Sequence, residues 1–221
     1  MTGAAGRGRG RPRASAEDIE QARAALMDAA ARVHGRHGYD ATSVALIISE
    51  AGISRPTFYK LFANKHEVLK AVVWRANERL FVRTLERLGG ANTPVERLEA
   101  VADAYLEWGR DTGPLVRVLY SEIHHPASPV GEARQWVIDR LLELFLAQTR
   151  EAGIEDIDPL FLEVLVSAVE RAGASLFEHE EITDRALARR RRIILRILLA
   201  ALARPEEYAL IPELPRHGDP T

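Results

Sequence analysis

Cysteine is missing altogether from the 221 residues. Disulfides, thiolate metal sites and thiol catalysis are thereby excluded, and a reducing compartment is the natural setting. Long apolar runs are missing too. The longest, IILRILLAALA, is broken by Arg196 and is shorter than the ~20 residues needed to span a bilayer, so no membrane partner is expected. No apolar stretch follows the glycine- and arginine-rich start, so a secretory signal is not expected and the chain reads as cytoplasmic. Strand-like alternation is absent. So are the Gly-x-Ser-x-Gly elbow, the phosphate-binding Gly-x-x-x-x-Gly-Lys loop and the zinc-ligand helix. The glycines of residues 3–10 lack a following strand and a Lys-Ser/Thr. An enzyme is therefore not expected, nor a cofactor.

What is present is charge asymmetry and helical periodicity. Residues 1–70 carry eleven Lys/Arg against seven Asp/Glu, whereas the remainder carries 19 against 25. A basic front on an acidic body points to a polyanion met by the front alone. Residues 1–16 form a basic arm too poor in apolar side chains to pack. Its Arg9-Gly10-Arg11-Pro12 is similar to the core of an AT-hook. Arg9 and Arg11 would then enter a narrow A·T-rich minor groove, whose negative potential attracts arginine. A solubilising tail is the plainer alternative.

Apolar residues then recur at three and four: Ile19, Ala22, Leu26, Ala29, Ala30 and Val33 mark one helix face, closed by Gly38. A second helix starts at Thr42 or Ser43 and stops at Gly52. A third starts at Ser54, with Pro56 tolerable in its first turn, and a long fourth is capped by Asn64. Further helices are predicted over about 95–108, over LVRVLYSEI, and over about 129–151, 159–178 and 182–203. The proline-bearing tail, 205–221, is expected to be irregular.

Two helices with a tight link at Gly52–Ser54 make a helix-turn-helix, whose second member places its first turns against base edges while neighbours hold phosphates. Phe58 and Phe62 are expected to turn inward as a wedge. The stretch GYDATSVALIISEAGISRPTFYKLFANKHEVL, residues 38–69, resembles the DNA-binding signature of the tetracycline-repressor (TetR) family. The match runs through Gly38-Tyr39, Thr42-Ser43, Ile47, Ala51 to Ser54, Thr57 to Tyr59, Phe62 and Lys65. The resemblance implies phosphate contacts from Thr42, Tyr59 and Lys65, and base or phosphate contacts from Ser54, Arg55, Thr57 and Lys60. Ile48 and Glu50 depart from the pattern, which favours alanine at both; Glu50 is expected to be solvated.

The resemblance also implies an all-α chain in two parts: a helix-turn-helix DNA-binding domain, 17–65, and a helical domain for ligand binding and dimerisation, 66–204. The function so implied is a ligand-responsive transcriptional regulator, most often a repressor, binding a palindromic double-stranded DNA operator as a homodimer. A small, largely apolar effector would be bound. Candidate pocket residues are Trp74, Phe81, Tyr105, Trp108, Tyr120, Trp136 and Phe145. The dimer face is expected from Leu162, Leu165, Val166, Val169 and Gly173 on one helix, and from Ile194, Ile197, Leu198, Ala201 and Leu202 on the next. His34 with His37, and Glu122 with His124 and His125, have metal-like spacing, but solvated or capping roles are commoner and no metal is expected. The RRRR run at 189–192 reads as a solvated face against the acidic body.

Overall fold

The computed structural model describes residues 15–122, 128–151, 157–179 and 182–202. The basic arm with Arg9 and Arg11, the pair His124–His125 and the tail from 203 onward lie outside them. Among the described residues the chain is all-helical: α1 (Ala16–His37), α2 (Val44–Ala51), α3 (Arg55–Leu61), α4 (Lys65–Gly89), α5 (Pro94–Thr112), α6 (Leu115–Glu122), α7 (Pro129–Glu151), α8 (Pro159–His179) and α9 (Asp184–Leu202).

Local chemistry sets most of these boundaries. Ser15 and Asp18 form a reciprocal capping box on α1, and Thr93 with Glu96 forms another on α5. Ser43 caps α2 through the Leu46 N–H, and Asn64 caps α4 through the Glu67 N–H. Gly52 ends α2 in the left-handed region at φ 64°, where any other L residue would be strained. The expected stop near Trp108 is four residues early, because α5 continues to Thr112 and ends at Gly113, φ 60°.

The first helices enclose a small N-terminal core. Leu26, Ala30 and Val33 of α1 close on Ile47 of α2, on Phe58 of α3 and on Val68 and Leu69 at the start of α4. The remaining helices form the body. Since α4 is one unbroken helix from the first unit into the second, rotation of its axis moves both. A second junction lies at α6: a Cβ on Gly35 of α1 would sit 3.0 Å from the Leu115 backbone nitrogen, so the helices meet there at backbone distance.

Candidate nucleic-acid interface and effector cavity

The third helix is short, so its pose depends on anchors. Phe58 is fully buried and Phe62 nearly so, as a wedge requires. Arg23 of α1, which nothing in the local sequence marks, adds a second anchor. It donates to the Leu61 carbonyl at 3.2 Å and lies over the Phe62 ring at 4.3 Å. With that face held inward, the other faces out: Arg55, Tyr59 and Lys60 are all exposed, and Arg55 stands over the Tyr59 ring at 5.7 Å. Ser54 and Thr57 share a hydroxyl hydrogen bond of 2.8 Å, while the Ser54 hydroxyl also accepts the Thr57 N–H at 3.3 Å. The Ser54 side chain therefore serves the helix cap first.

Three residues make contacts that their sequence positions do not announce. Thr42 is buried, and its hydroxyl donates to the Gly38 carbonyl at 2.6 Å, so it closes the α1–α2 turn and does not face outward. Lys65 donates to the carbonyls of Tyr39 and Thr42, each at 3.0 Å, and sits 4.5 Å from the Tyr39 ring centre. Its ammonium ties the start of α4 to that turn. Glu50 is not simply solvated. Arg32 donates to it at 2.7 Å and Arg36 also donates to it, clamping α2 to α1. Those two hydrogen bonds hold its carboxyl below the usual range.

His34 lies under the same turn, fully buried and stacked on Tyr39 at 5.9 Å. Burial, with the Lys65 charge nearby, brings its pKa down to about 4, so it is neutral at physiological pH. His37 is exposed, and among the described residues no group of three His, Cys, Asp or Glu side chains is arranged to hold a metal ion.

The body holds a cavity of about 200 Å³ between α4, α5, α7 and α8. Its wall on α4 runs from Val73 to Leu88, about 22 Å at 1.5 Å per residue, so the space is elongated. Tyr105, Trp108, Tyr120 and Phe145 line it, as expected of them. Trp74, Phe81 and Trp136 do not. They pack against each other between α4 and α7, with Trp74 and Trp136 tilted and centred 5.2 Å apart and Phe81 edge-on to Trp136 at 6.3 Å. The polar groups lie towards the two ends. Near the N-terminal unit, Arg134 donates to Glu170 at 2.9 Å, and Tyr105 shares a hydrogen bond with Tyr120 and donates to the Glu170 carbonyl at 3.0 Å. Burial pushes the Tyr105 phenol well above its ordinary pKa, so it stays a donor. At the far end lie Arg97, Gln148 and Thr149.

Part of the expected dimer face is covered within the subunit itself. Leu162, Leu165 and Val169 are buried in their own subunit and line this cavity, and Ile194 and Leu198 are likewise covered. Gly173 admits the Tyr105 ring of the same subunit rather than a second helix. The large apolar side chains of α8 left in solvent are Leu160 (62% exposed), Phe161 (42%) and Val164 (60%).

Residues 26–72, from mid-α1 into α4, match the family described as bacterial regulatory proteins, tetR family. Over that stretch the chain is similar to the tetR family. Two curated proteins are similar over part of their length. The HTH-type transcriptional repressor ComR of Escherichia coli strain K12 is 33% identical over 97 residues, 44% of this chain and 42% of that protein. The HTH-type transcriptional activator FasR of Mycolicibacterium smegmatis is 26% identical over 140 residues, 62% of this chain and 63% of that one. The chain thus aligns with less than two thirds of either. Solved structures share the fold over more of the chain. FadR of Bacillus subtilis in complex with stearoyl-CoA superposes with TM-score 0.68 at 19% identity, covering 81% of this chain and 98% of that one. The TetR regulator PfmR of Thermus thermophilus superposes with TM-score 0.62 at 21% identity, covering 81% and 99%. At such identities the likeness is one of fold. The residues matched to the tetR family are those that form the helix-turn-helix, α2 and α3, with its flanking helices.

Proposed function

We propose that this regulator represses transcription by binding a palindromic operator as a homodimer, and that an elongated apolar effector weakens that binding. The observation that carries the proposal is the division of labour on α3. Phe58 and Phe62 fix the helix from within, and Arg55, Tyr59 and Lys60 are left on the outer face, where base edges and phosphates would be met. Ser54 and Thr57 stand at the start of the same helix, and the arm with Arg9 and Arg11 would add minor-groove contacts. Thr42 and Lys65 take a supporting part: they hold the turn against which α2 and α4 are set.

The homodimer would use the outer face of α8, where Leu160, Phe161 and Val164 offer apolar surface that the subunit itself leaves uncovered. The effector would occupy the cavity of the body. Its apolar walls and its length suit a long chain, and a neighbour of the same fold holds stearoyl-CoA. Ligand and DNA are then linked if the ligand favours an α4 and α6 arrangement with wrongly spaced reading heads.

The test is selection of bound duplexes from a random pool by the full chain. The expected result is a palindrome whose half-sites lie about one helical turn apart, with release on adding a long-chain ligand. A selected motif without two-fold symmetry would remove the homodimeric operator, and retention with every long-chain ligand would remove the effector.

A further inference from the structure

A second cavity, unlike the first, opens between the two units. It measures about 490 Å³ and is walled by α1, α4, α5 and the start of α6. Its lining includes Arg32 and Arg36 of α1 and Arg75, Arg79 and Arg83 of α4. On each helix the arginines recur every fourth residue, so each set forms one ridge with a rise of about 6 Å per step. Asp28 and Asp111 are the carboxylates of the wall. Arg75 donates to Asp28 and Arg83 donates through Nη2 to Asp111, both at 2.6 Å, and Arg32 and Arg36 are held by Glu50.

Donors remain after these pairs are made. Arg79 is exposed and has no ion pair among the described residues. The second terminal nitrogen of Arg83, Nη1, is buried with no acceptor there. A buried guanidinium donor without an acceptor is unfavourable, and the five guanidiniums outnumber the three carboxylates that pair with them, Asp28, Asp111 and Glu50, which leaves the cleft an excess of positive charge that an anion would offset. We propose that this cleft is a binding site for a small molecule carrying a diphosphate. Guanidinium groups grip phosphate oxygens two at a time, and the ridges offer such groups at neighbouring turns on facing walls.

Trp108 belongs to the wall of both cavities. A diphosphate in the cleft has two sources to be told apart: a free nucleotide, or the head of an acyl thioester of coenzyme A whose chain lies in the apolar cavity. The second rests on the effector reading above, and the first does not. In either case the anion bridges α1 of the reading unit to α4 and α5 of the body, so its binding and operator binding are coupled in both directions.

The experiment is calorimetric titration of the full chain and of Arg79→Glu, with circular dichroism to verify folding. Arg79 is exposed and has no ion pair to break, so the change leaves the packing intact; Arg36→Gln is the second variant. The probes are pyrophosphate, ADP, palmitoyl-CoA, palmitate and inorganic phosphate. Diphosphate probes should bind more tightly than inorganic phosphate. Arg79→Glu should weaken them about tenfold or more, as loss and reversal of one charge-assisted interaction does. Palmitate, which reports on the apolar cavity alone, should be unaffected by the substitution. Binding of pyrophosphate and ADP identifies a free nucleotide as the source. Sensitivity of palmitoyl-CoA with no binding of the short probes identifies the thioester. The proposal is overturned if no diphosphate probe binds, if inorganic phosphate binds equally well, or if neither variant changes affinity. It is also overturned if Arg79→Glu weakens only DNA binding, which would make the cleft a DNA-backbone contact. Failure of palmitate to bind counts against the effector cavity and leaves the short-probe result standing.

Discussion

Replacing Gly173 with alanine should destabilise the body, although alanine is the better helix former. Propensity alone favours alanine inside a helix by about 1 kcal/mol. Against that, a methyl group at Gly173 would sit 2.7 Å from the Tyr105 hydroxyl and 2.8 Å from its Cζ, well inside van der Waals distance. Tyr105 has little room to yield, because Trp108 is stacked at 5.9 Å and Phe177 meets it edge-on at 6.2 Å. Overpacking of a core costs about 1–3 kcal/mol. Displacing the ring also puts at risk its bonds to Tyr120 and the Glu170 carbonyl, each worth about 1 kcal/mol. The balance is a net destabilisation of about 1–3 kcal/mol, read as a lower urea midpoint at unchanged slope. Combining Gly173→Ala with Tyr105→Ala removes the obstacle, so the cost of the methyl should then fall to near zero or reverse. A single variant as stable as the parent, or a cost that persists without Tyr105, would refute the packing argument.

Three further outcomes are expected. His34 is neutral when folded, with a pKa of about 4 against an ordinary 6.5, so on acidification the unfolded chain takes up its proton first. Stability from this group is complete above about pH 6.5 and declines as pH falls towards 4, by on the order of 3 kcal/mol; urea titrations from pH 7 to pH 4.5 should lose that component in His34→Phe. Val164→Asp should yield a folded monomer by sedimentation, since Val164 is 60% exposed in its own subunit, whereas Leu165→Asp, 8% exposed, should unfold the body. Removing residues 1–14 should flatten the salt dependence of DNA binding by about 0.9 for each phosphate that the arm neutralises, and erase any preference for A·T flanks; an unchanged slope and flank preference would leave the arm as a tail.

Helix boundaries were legible in the sequence where they depend on neighbours a few residues away. Ser43, Gly52, Ser54, Asn64 and Thr93 act through hydrogen bonds or backbone freedom within one turn, so their types announce their roles. The inward turn of Phe58 and Phe62 was legible because two large apolar rings have no place on a wet binding surface. What distant partners decide was not legible. Lys65 reaches carbonyls 23 to 26 positions away, Glu50 is met by arginines 14 and 18 positions away, and Thr42 turns into a buried loop. The apolar pattern of α8 shows a second kind of limit. Leu160, Phe161, Leu162, Val164 and Leu165 surround much of the helix, so periodicity cannot say which face covers the cavity and which is left to solvent. Likewise, an aromatic on a helix is apolar whether it lines a space, as Tyr105 does, or fills one, as Trp136 does. The arginine ridges of α1 and α4 carried a signal in their four-residue spacing, but only the crossing of the two helices sets them around one cleft.

If the outer face of α3 reads DNA from a pose that its inner face fixes, the decisive measurement is the operator affinity of Arg55→Ala, Tyr59→Phe and Lys60→Ala. It is taken across salt concentrations and on single-base operator variants. All three proteins should melt with the parent, because none of these side chains is buried. Removing a base contact should weaken operator binding by about 1–3 kcal/mol and relax preference at particular base pairs. Removing a phosphate contact made by a cationic residue should weaken all sequences alike, with a shallower salt slope. Three well-folded variants with parental affinity, salt slope and base preference would contradict the assignment of α3 as the reading helix.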